Sequence, residues 1–478
     1  MLRTRFVSSV LAVAVFAGLG ATTSLLAAQQ LAPHQQLLRD VYKELIEINT
    51  SVITSGTTVA AEAMAKRFRD AGFPERDIYL GGPRADKHNI VVRLRGRGGA
   101  NAPKPLLLLA HLDVVEALKS DWSDDLDPFK FLERDGFYYG RGTTDDKAQG
   151  AIFVANLIRM KQDGFVPDRD IILALTADEE GGGFNGVRWL LQNQRALVDA
   201  AFVVNEGGRG ALKNGKPIFN EMQATQKNFV MFTVTAKNRG GHSSVPRPDN
   251  AIYQLAEGIA RFSKYNFPVK LNTVTRVFFE RTAAVESPEV GAAMTAIVKD
   301  QNDAAATAVL AKDPRYNSML RTTCVATGLT GGHASNALPQ TAQVSINCRI
   351  LPDAVPTEVR DAIIAAFADP ELEISAPPAR AQVDPSSIGP EMLGPVELVT
   401  REVYGDIPVI PSMSTGATDS QAFRVAGIPA YGVSGIMNDV DDIRAHGRDE
   451  RLPIKSLYDG QEFLYRLTKL FATTRTVP

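Results

Sequence analysis

The sequence predicts an α/β protein in which a mixed sheet is sandwiched by helices and a second, α+β unit of βαββαβ (ferredoxin-like) order is inserted. Three observations carry that expectation. The apolar runs Leu106–Ala110, Ile171–Leu175 and Ala201–Val204 are short and uninterrupted, and acidic residues follow each closely; buried parallel strands read this way, whereas half-exposed strands alternate. At 478 residues the chain is too long for one ordinary core. Finally, clustered His/Asp/Glu motifs occur before residue 210 and after residue 410, and the middle carries none of the candidate metal ligands, as expected of a discontinuous domain (29–221 and 391–478) interrupted by another (222–390).

Taken in order, Met1–Arg5 is basic, Phe6–Leu19 is largely apolar and Ser24–Ala28 offers small residues, which predicts a signal peptide over 1–28 and a periplasmic or secreted protein. Within the insertion, alternation and turn signals predict strand Phe229–Ala236, helix Asn250–Phe262, strands Thr322–Leu329 and Ala342–Ile350, helix Pro356–Phe367 and strand Leu372–Ser375. A Pro-rich return follows over 376–390. Residues 266–321 are polar and Ala-rich with helical segments, expected as a surface elaboration, with a pocket wall or subunit contact as alternatives. The only cysteines, Cys324 and Cys348, lie on candidate strands, and a disulfide or two free thiols both fit. No segment after the signal is apolar enough to span a bilayer.

In open α/β sheets, ligands bind beyond the carboxyl ends of the strands. Those ends deliver His111 and Asp113, Glu179 and Glu180, and Glu206 to one edge, with Asp145-Asp146 and a late His446 completing the set. His111 and Asp113 are two residues apart and share a face, and Asp113 suits the role of orienting a metal-bound imidazole. Two Zn²⁺ would balance Asp145, Glu180, Glu206 and a bridging hydroxide, leaving the imidazoles neutral. Glu179 would then be free to move the water's proton.

The motifs Ala110-His-Leu-Asp-Val-Val115, Tyr139-Gly-Arg-Gly-Thr-Thr-Asp-Asp-Lys147, Thr176-Ala-Asp-Glu-Glu-Gly181, Asn205-Glu-Gly207 and His446-Gly-Arg-Asp-Glu-Arg451 resemble those of the M20 family of zinc peptidases and amidohydrolases, which includes aminoacylase-1, carboxypeptidase G2 and carboxypeptidase S. The resemblance runs from about residue 35 to the C-terminus and implies the zinc-peptidase fold with a lid domain that pairs in a homodimer. It implies His111 and Glu206 on one zinc, Glu180 and His446 on the other, Asp145 bridging, a cis peptide after Asp145 and Glu179 as general base. His242 in Gly240-Gly-His-Ser-Ser244 would stabilise the oxyanion, often in the partner subunit's site. Asn336 and Arg349 would hold the substrate's carbonyl and carboxylate, and Gly416 belongs to a matching glycine loop. With Asp121-Trp122 and Asp127-Pro-Phe129, the 266–321 insertion points to carboxypeptidase S-like members.

Other patterns exclude rival classes. Gly210-Ala-Leu-Lys-Asn-Gly-Lys216 has phosphate-loop spacing, but Pro217 stands where a Ser or Thr is needed, so a hairpin turn is expected there. No G-x-S-x-G elbow exists. Lys plus Arg (52) against Asp plus Glu (54) gives no basis for nucleic-acid binding. The expectation is a two-zinc hydrolase, with Co²⁺ or Mn²⁺ as substitutes. It would act on a small peptide or N-acyl amino acid next to a free carboxylate and have no membrane association once the signal is cleaved. An aminopeptidase or a non-catalytic metal- or peptide-binding protein is the remaining alternative.

Overall fold

The three apolar runs fold as neighbours: Leu106–His111 lies between Ile171–Thr176 and Phe202–Asn205, parallel to both. Every residue of the three strands is buried, which is why none shows polar alternation. In this computed structural model, which describes residues 30–98, 102–377 and 383–473, they form the centre of a mixed sheet; the expected signal peptide lies outside the described residues. The sheet runs Ile78–Gly81, Asn89–Leu94, Ile171–Thr176, Leu106–His111, Phe202–Asn205, Ala430–Gly432, Lys216–Gln226, Gly210–Lys213 and Met437–Asp439, with Val409–Ser414 also paired to Lys216–Gln226. His111 stands opposite Thr176, so the carboxyl ends of these two central strands are level. The phosphate-loop lookalike is the Gly210–Lys213 to Lys216–Gln226 hairpin.

Helices cover both faces. Lys147–Gln162 is buried nearly all round, since it lies between the sheet and helices Pro33–Glu47 and Ile454–Thr473; a helix enclosed on every side needs no polar stripe. Gly186–Asn193 and Ser420–Val425 cover the opposite face.

A second, antiparallel sheet has the order Thr323–Gly331, Thr341–Ile350, Asn228–Lys237, Glu373–Ile374. Val230, Phe232, Val234 and Ala236 face a separate core under helices Ala251–Phe262 and Pro356–Phe367, following the period of two. Strand Lys216–Gln226 remains in the large sheet through Gln226, past the expected crossing at 221/222, because its pairing with Val409–Ser414 continues to Ser414. Cys324 and Cys348 are register partners on adjacent strands and form a disulfide, which resolves the two alternatives.

The stretch 266–321 folds as helices Thr273–Thr282, Pro288–Lys299, Ala304–Leu310 and Pro314–Leu320. Their starts are locally encoded: Asn272, Asp303 and Asp313 cap three of them through side-chain oxygens, and Pro314 opens the last. It is not a surface elaboration. Phe278, Met294, Ile297 and Leu320 share a core with Ile410 and Met413 of the large sheet, and Arg281 bonds the Val409 carbonyl at 2.7 Å. Phe278→Ala should therefore cost about 3–5 kcal/mol, measurable as a lowered denaturation midpoint; an unchanged midpoint would show that these helices do not share the core.

Candidate metal centre

The strand ends bring His111, Asp145, Glu179, Glu180, Glu206 and His446 together. His111 Nε2 lies 3.0 Å from Asp145 Oδ1 and 3.9 Å from Glu206 Oε2. On the other side, His446 Nε2 lies 3.1 Å from Asp145 Oδ2 and 2.8 Å from Glu180 Oε1. The two oxygens of Asp145 thus face different imidazole–carboxylate pairs. The Asp145–Asp146 peptide is cis, as the resemblance implies.

Charge at this cluster is unbalanced. Burial lowers the His111 pKa, but the carboxylates of Asp145, Glu206 and Asp113 together lift it well above the ordinary imidazole value. Bonds to Asp145 and Glu180 raise His446 to about 10. Burial, with Asp419, Glu180 and Asp113 nearby, drives the Glu179 carboxyl well above its usual range, and burial with Glu179 and Asp145 does the same to Glu206. A divalent cation would relieve this excess of negative charge. The donor set, two imidazole nitrogens and carboxylate oxygens, fits zinc, and ligand atoms of His111, Asp145 and Glu180, and of His111, Glu179 and Glu206, lie close enough to hold an ion.

One expectation is corrected in detail. Asp113 does not orient His111 through its carboxylate: His111 Nδ1 lies 2.9 Å from the Asp113 carbonyl oxygen and 3.8 Å from the carboxylate. The carboxylate instead accepts the backbone N–H groups of Glu179 and Glu180 at 3.1 and 3.0 Å. Asp113 lies past the end of the strand, so the alternation assumed from spacing no longer applies.

Several supporting residues had no assigned role. Lys87 Nζ lies 2.8 Å from Asp178 Oδ1, both buried, and donates to the Val52 carbonyl at 2.7 Å. This pair anchors the turn that carries Glu179, where Asp178 adopts φ 55°. Asn185 ties the same turn to Asp419 at 2.7 Å. Glu450 accepts from Arg141 Nη1, Thr144 N and Thr144 Oγ1 at 2.7, 2.7 and 2.8 Å, clamping the Asp145 loop to the His446 loop. Arg141 and Glu450 lay inside the quoted motifs, which was their only signal.

Of the remaining candidates, His242, Asn336 and Arg349 sit on the second sheet or at its margin and Gly416 follows strand Val409–Ser414 of the large sheet; among the described residues none bonds to the six residues above. His242 is exposed on a ribbon pairing Gly241–His242 with Ala337–Leu338, and its ring bonds Ser244. Asn336 is next to it, its carbonyl accepting Ser243 N–H at 3.1 Å. Arg349 is half-buried over the Phe229 ring, 5.1 Å from its centroid. Gly416 donates to Ser414 Oγ at 3.1 Å. Sequence reasoning missed Lys227, whose ammonium burial and the neighbouring Arg349 and Arg321 lower to about 7; it bonds Thr323 Oγ1 at 3.1 Å.

Comparison with known proteins agrees with this geometry: the profile of peptidase family M20/M25/M40 matches residues 107–470. The chain belongs to this family. Human N-fatty-acyl-amino acid synthase/hydrolase PM20D1 is 28% identical over 384 residues, 78% of this chain and 75% of the relative. Probable carboxypeptidase S-like 2 of Dictyostelium discoideum is 27% identical over 413 residues, 83% of this chain and 77% of the relative. Among solved structures, the M20 family metallo-carboxypeptidase Sso-CP2 from Sulfolobus solfataricus superposes with a TM-score of 0.64 at 17% identity, covering 92% of this chain and all (100%) of that one. Human carnosine dipeptidase 1 gives 0.60 at 15%, covering 92% and 97%. The chain is thus a metallohydrolase of the M20 type with the family's fold.

Lys87→Met, which leaves Asp178 buried and unpaired, should cost about 3–5 kcal/mol of stability. The double change Lys87→Met/Asp178→Asn should restore much of that loss in a denaturation titration, and a double variant as unstable as the single one would contradict the pairing.

Proposed function

We propose that this chain is an exported two-zinc amidohydrolase that cleaves an amide bond next to a free carboxylate, as a carboxypeptidase or dipeptidase or as a hydrolase of N-acyl amino acids. The observation that carries the reading is Asp145, whose two oxygens address separate imidazole–carboxylate pairs. His111 and Glu206 would hold one ion, Glu180 and His446 the other, and Asp145 both; Co²⁺ or Mn²⁺ would suit the same donors. Bound there, the pair would supply an activated water and a polarised scissile carbonyl.

The chain's own residues do the rest. Glu179 takes the water's proton and delivers it to the leaving nitrogen, and Asp113 fixes the Glu179–Glu180 turn from below through two backbone N–H groups. Arg349 and Lys227 have no carboxylate partner among the described residues, which supports their anchoring the substrate's carboxylate. Asn336 and Gly416 are assigned to the carbonyl and carboxylate of the same substrate. Among the described residues the His242 ring bonds only Ser244, which favours a role as oxyanion donor to a second copy. Val325 and Leu329 are 60% and 68% exposed on edge strand Thr323–Gly331, and such an edge suits a homodimer contact.

The Cys324–Cys348 disulfide favours an oxidising compartment, and no described helix is long and apolar enough to cross a membrane. Relatives named as carboxypeptidase S-like favour peptides, and those named N-fatty-acyl-amino acid synthase/hydrolase favour N-acyl amino acids.

Metal analysis should give about two zinc ions per chain, and a chelator should lower the melting temperature. Glu179→Gln should keep that metal content while kcat falls about 10²–10⁴-fold; normal turnover would remove Glu179 from the role of base. Arg349→Ala should raise KM for free acids, and C-terminal amides should be poor substrates of the wild type. Equal cleavage of acids and amides would argue against the carboxylate anchor.

A further inference from the structure

A cavity of about 360 Å³ opens beside the metal centre, within the range of small-molecule sites. A smaller one of about 120 Å³ touches Asp145 and Glu206 directly. The two share Gly207, Arg209, Asn438 and Ile443, so a group attached to a substrate at the carboxylates can pass these residues into the larger space. Gly207 at this throat adopts φ +121°, and a Cβ there would meet the Gln223 side chain at 2.0 Å.

The larger cavity has a mixed lining with an apolar part. Phe219, Met319, Met413, Val440 and Ile443 contribute to its wall. Its charges are disposed of locally: Arg315 pairs with Glu221 across the wall, Asp439 accepts the Asp441 N–H at 3.0 Å, and Arg209 is exposed at the neck, where a long cationic side chain can keep its head in water. The half-exposed Arg315 guanidinium is already paired and Asp439 would repel an anion, so this cavity suits a substrate carboxylate poorly. Met319 and Arg315 come from Pro314–Leu320, the last helix of the 266–321 insertion. The insertion therefore closes one side of this space, and the two methionines there are adaptable in shape.

We propose that this cavity receives the acyl group of an N-acyl amino acid, that the group is an apolar chain longer than acetyl, and that Met319 sets how long a chain fits. This rests on the amidohydrolase reading above and names the substrate class within it.

Binding can be read without turnover in zinc-loaded Glu179→Gln protein, titrated with N-acetyl and N-octanoyl derivatives of the same amino acid. A buried methylene contributes about four-fold in affinity, so the six extra methylenes of octanoyl should tighten binding about 10³–10⁴-fold when all are buried. Met319→Trp should collapse the octanoyl-to-acetyl ratio towards one. Val440→Trp, at a rim position 36% exposed and so outside the core, should lower the ratio in the same direction if the buried substitution misfolds. Equal binding of the two ligands, or a ratio unmoved by both tryptophan variants, would overturn the assignment. If the wild type cleaves neither ligand while the chain-length preference and its collapse are retained, the hydrolytic reading fails and the acyl cavity stands.

Discussion

Asp145, Glu179, Glu180 and Glu206 crowd the open ends of strands whose residues are all buried and mostly apolar, and like charges held this close in a poorly solvated space repel one another. Much of the surrounding architecture answers that repulsion. Asp113 is itself a carboxylate, yet it stabilises the site because it accepts two backbone N–H groups from the Glu179–Glu180 turn. Lys87 neutralises Asp178 under the same turn, and Arg141 neutralises Glu450 behind the Asp145 loop. What remains uncompensated is the set of groups that face one another across the opening, and this residual charge is what bound metal would satisfy.

The clamp between Arg141 and Glu450 joins segments about three hundred residues apart in the chain, and its backbone contacts reach Thr144 and Gly447. Asp145 and His446 consequently cannot move independently. The inserted helices act similarly on the opposite side: they share a core with Val409–Ser414, the strand that leads into the loop of Gly416. A segment carrying none of the proposed ligands thus shapes both the wall beside the metal centre and the support of the Gly416 loop. The second sheet has its own core and brings Arg349 and His242 as a separate group, a division that suits a catalytic platform and a substrate-gripping partner.

Much of this could be read from the chain. Runs of apolar residues gave the central strands to within a residue or two, alternation gave Asn228–Lys237 and Thr341–Ile350, and helix Pro356–Phe367 has the bounds expected from its opening proline and apolar spacing. The cluster of His111, Asp145, Glu179, Glu180, Glu206 and His446 was legible because each member ends a strand or sits in a compact motif. Lys87 and Lys227 were not singled out, since a lone lysine in a polar stretch looks like an ordinary surface residue until its burial is known.

By itself, then, the sequence determined the elements and the chemistry at their ends, because periodicity, capping residues and motif composition are local properties written in neighbouring positions. Only the tertiary structure decided which carboxylate orients which backbone, that Cys324 and Cys348 are bonded, that Lys216–Gln226 stays in the large sheet through Gln226, and that 266–321 is core rather than ornament. Each of these depends on contacts between residues far apart in the chain, whose energies come from burial and mutual distance, and neither quantity exists before the chain is folded.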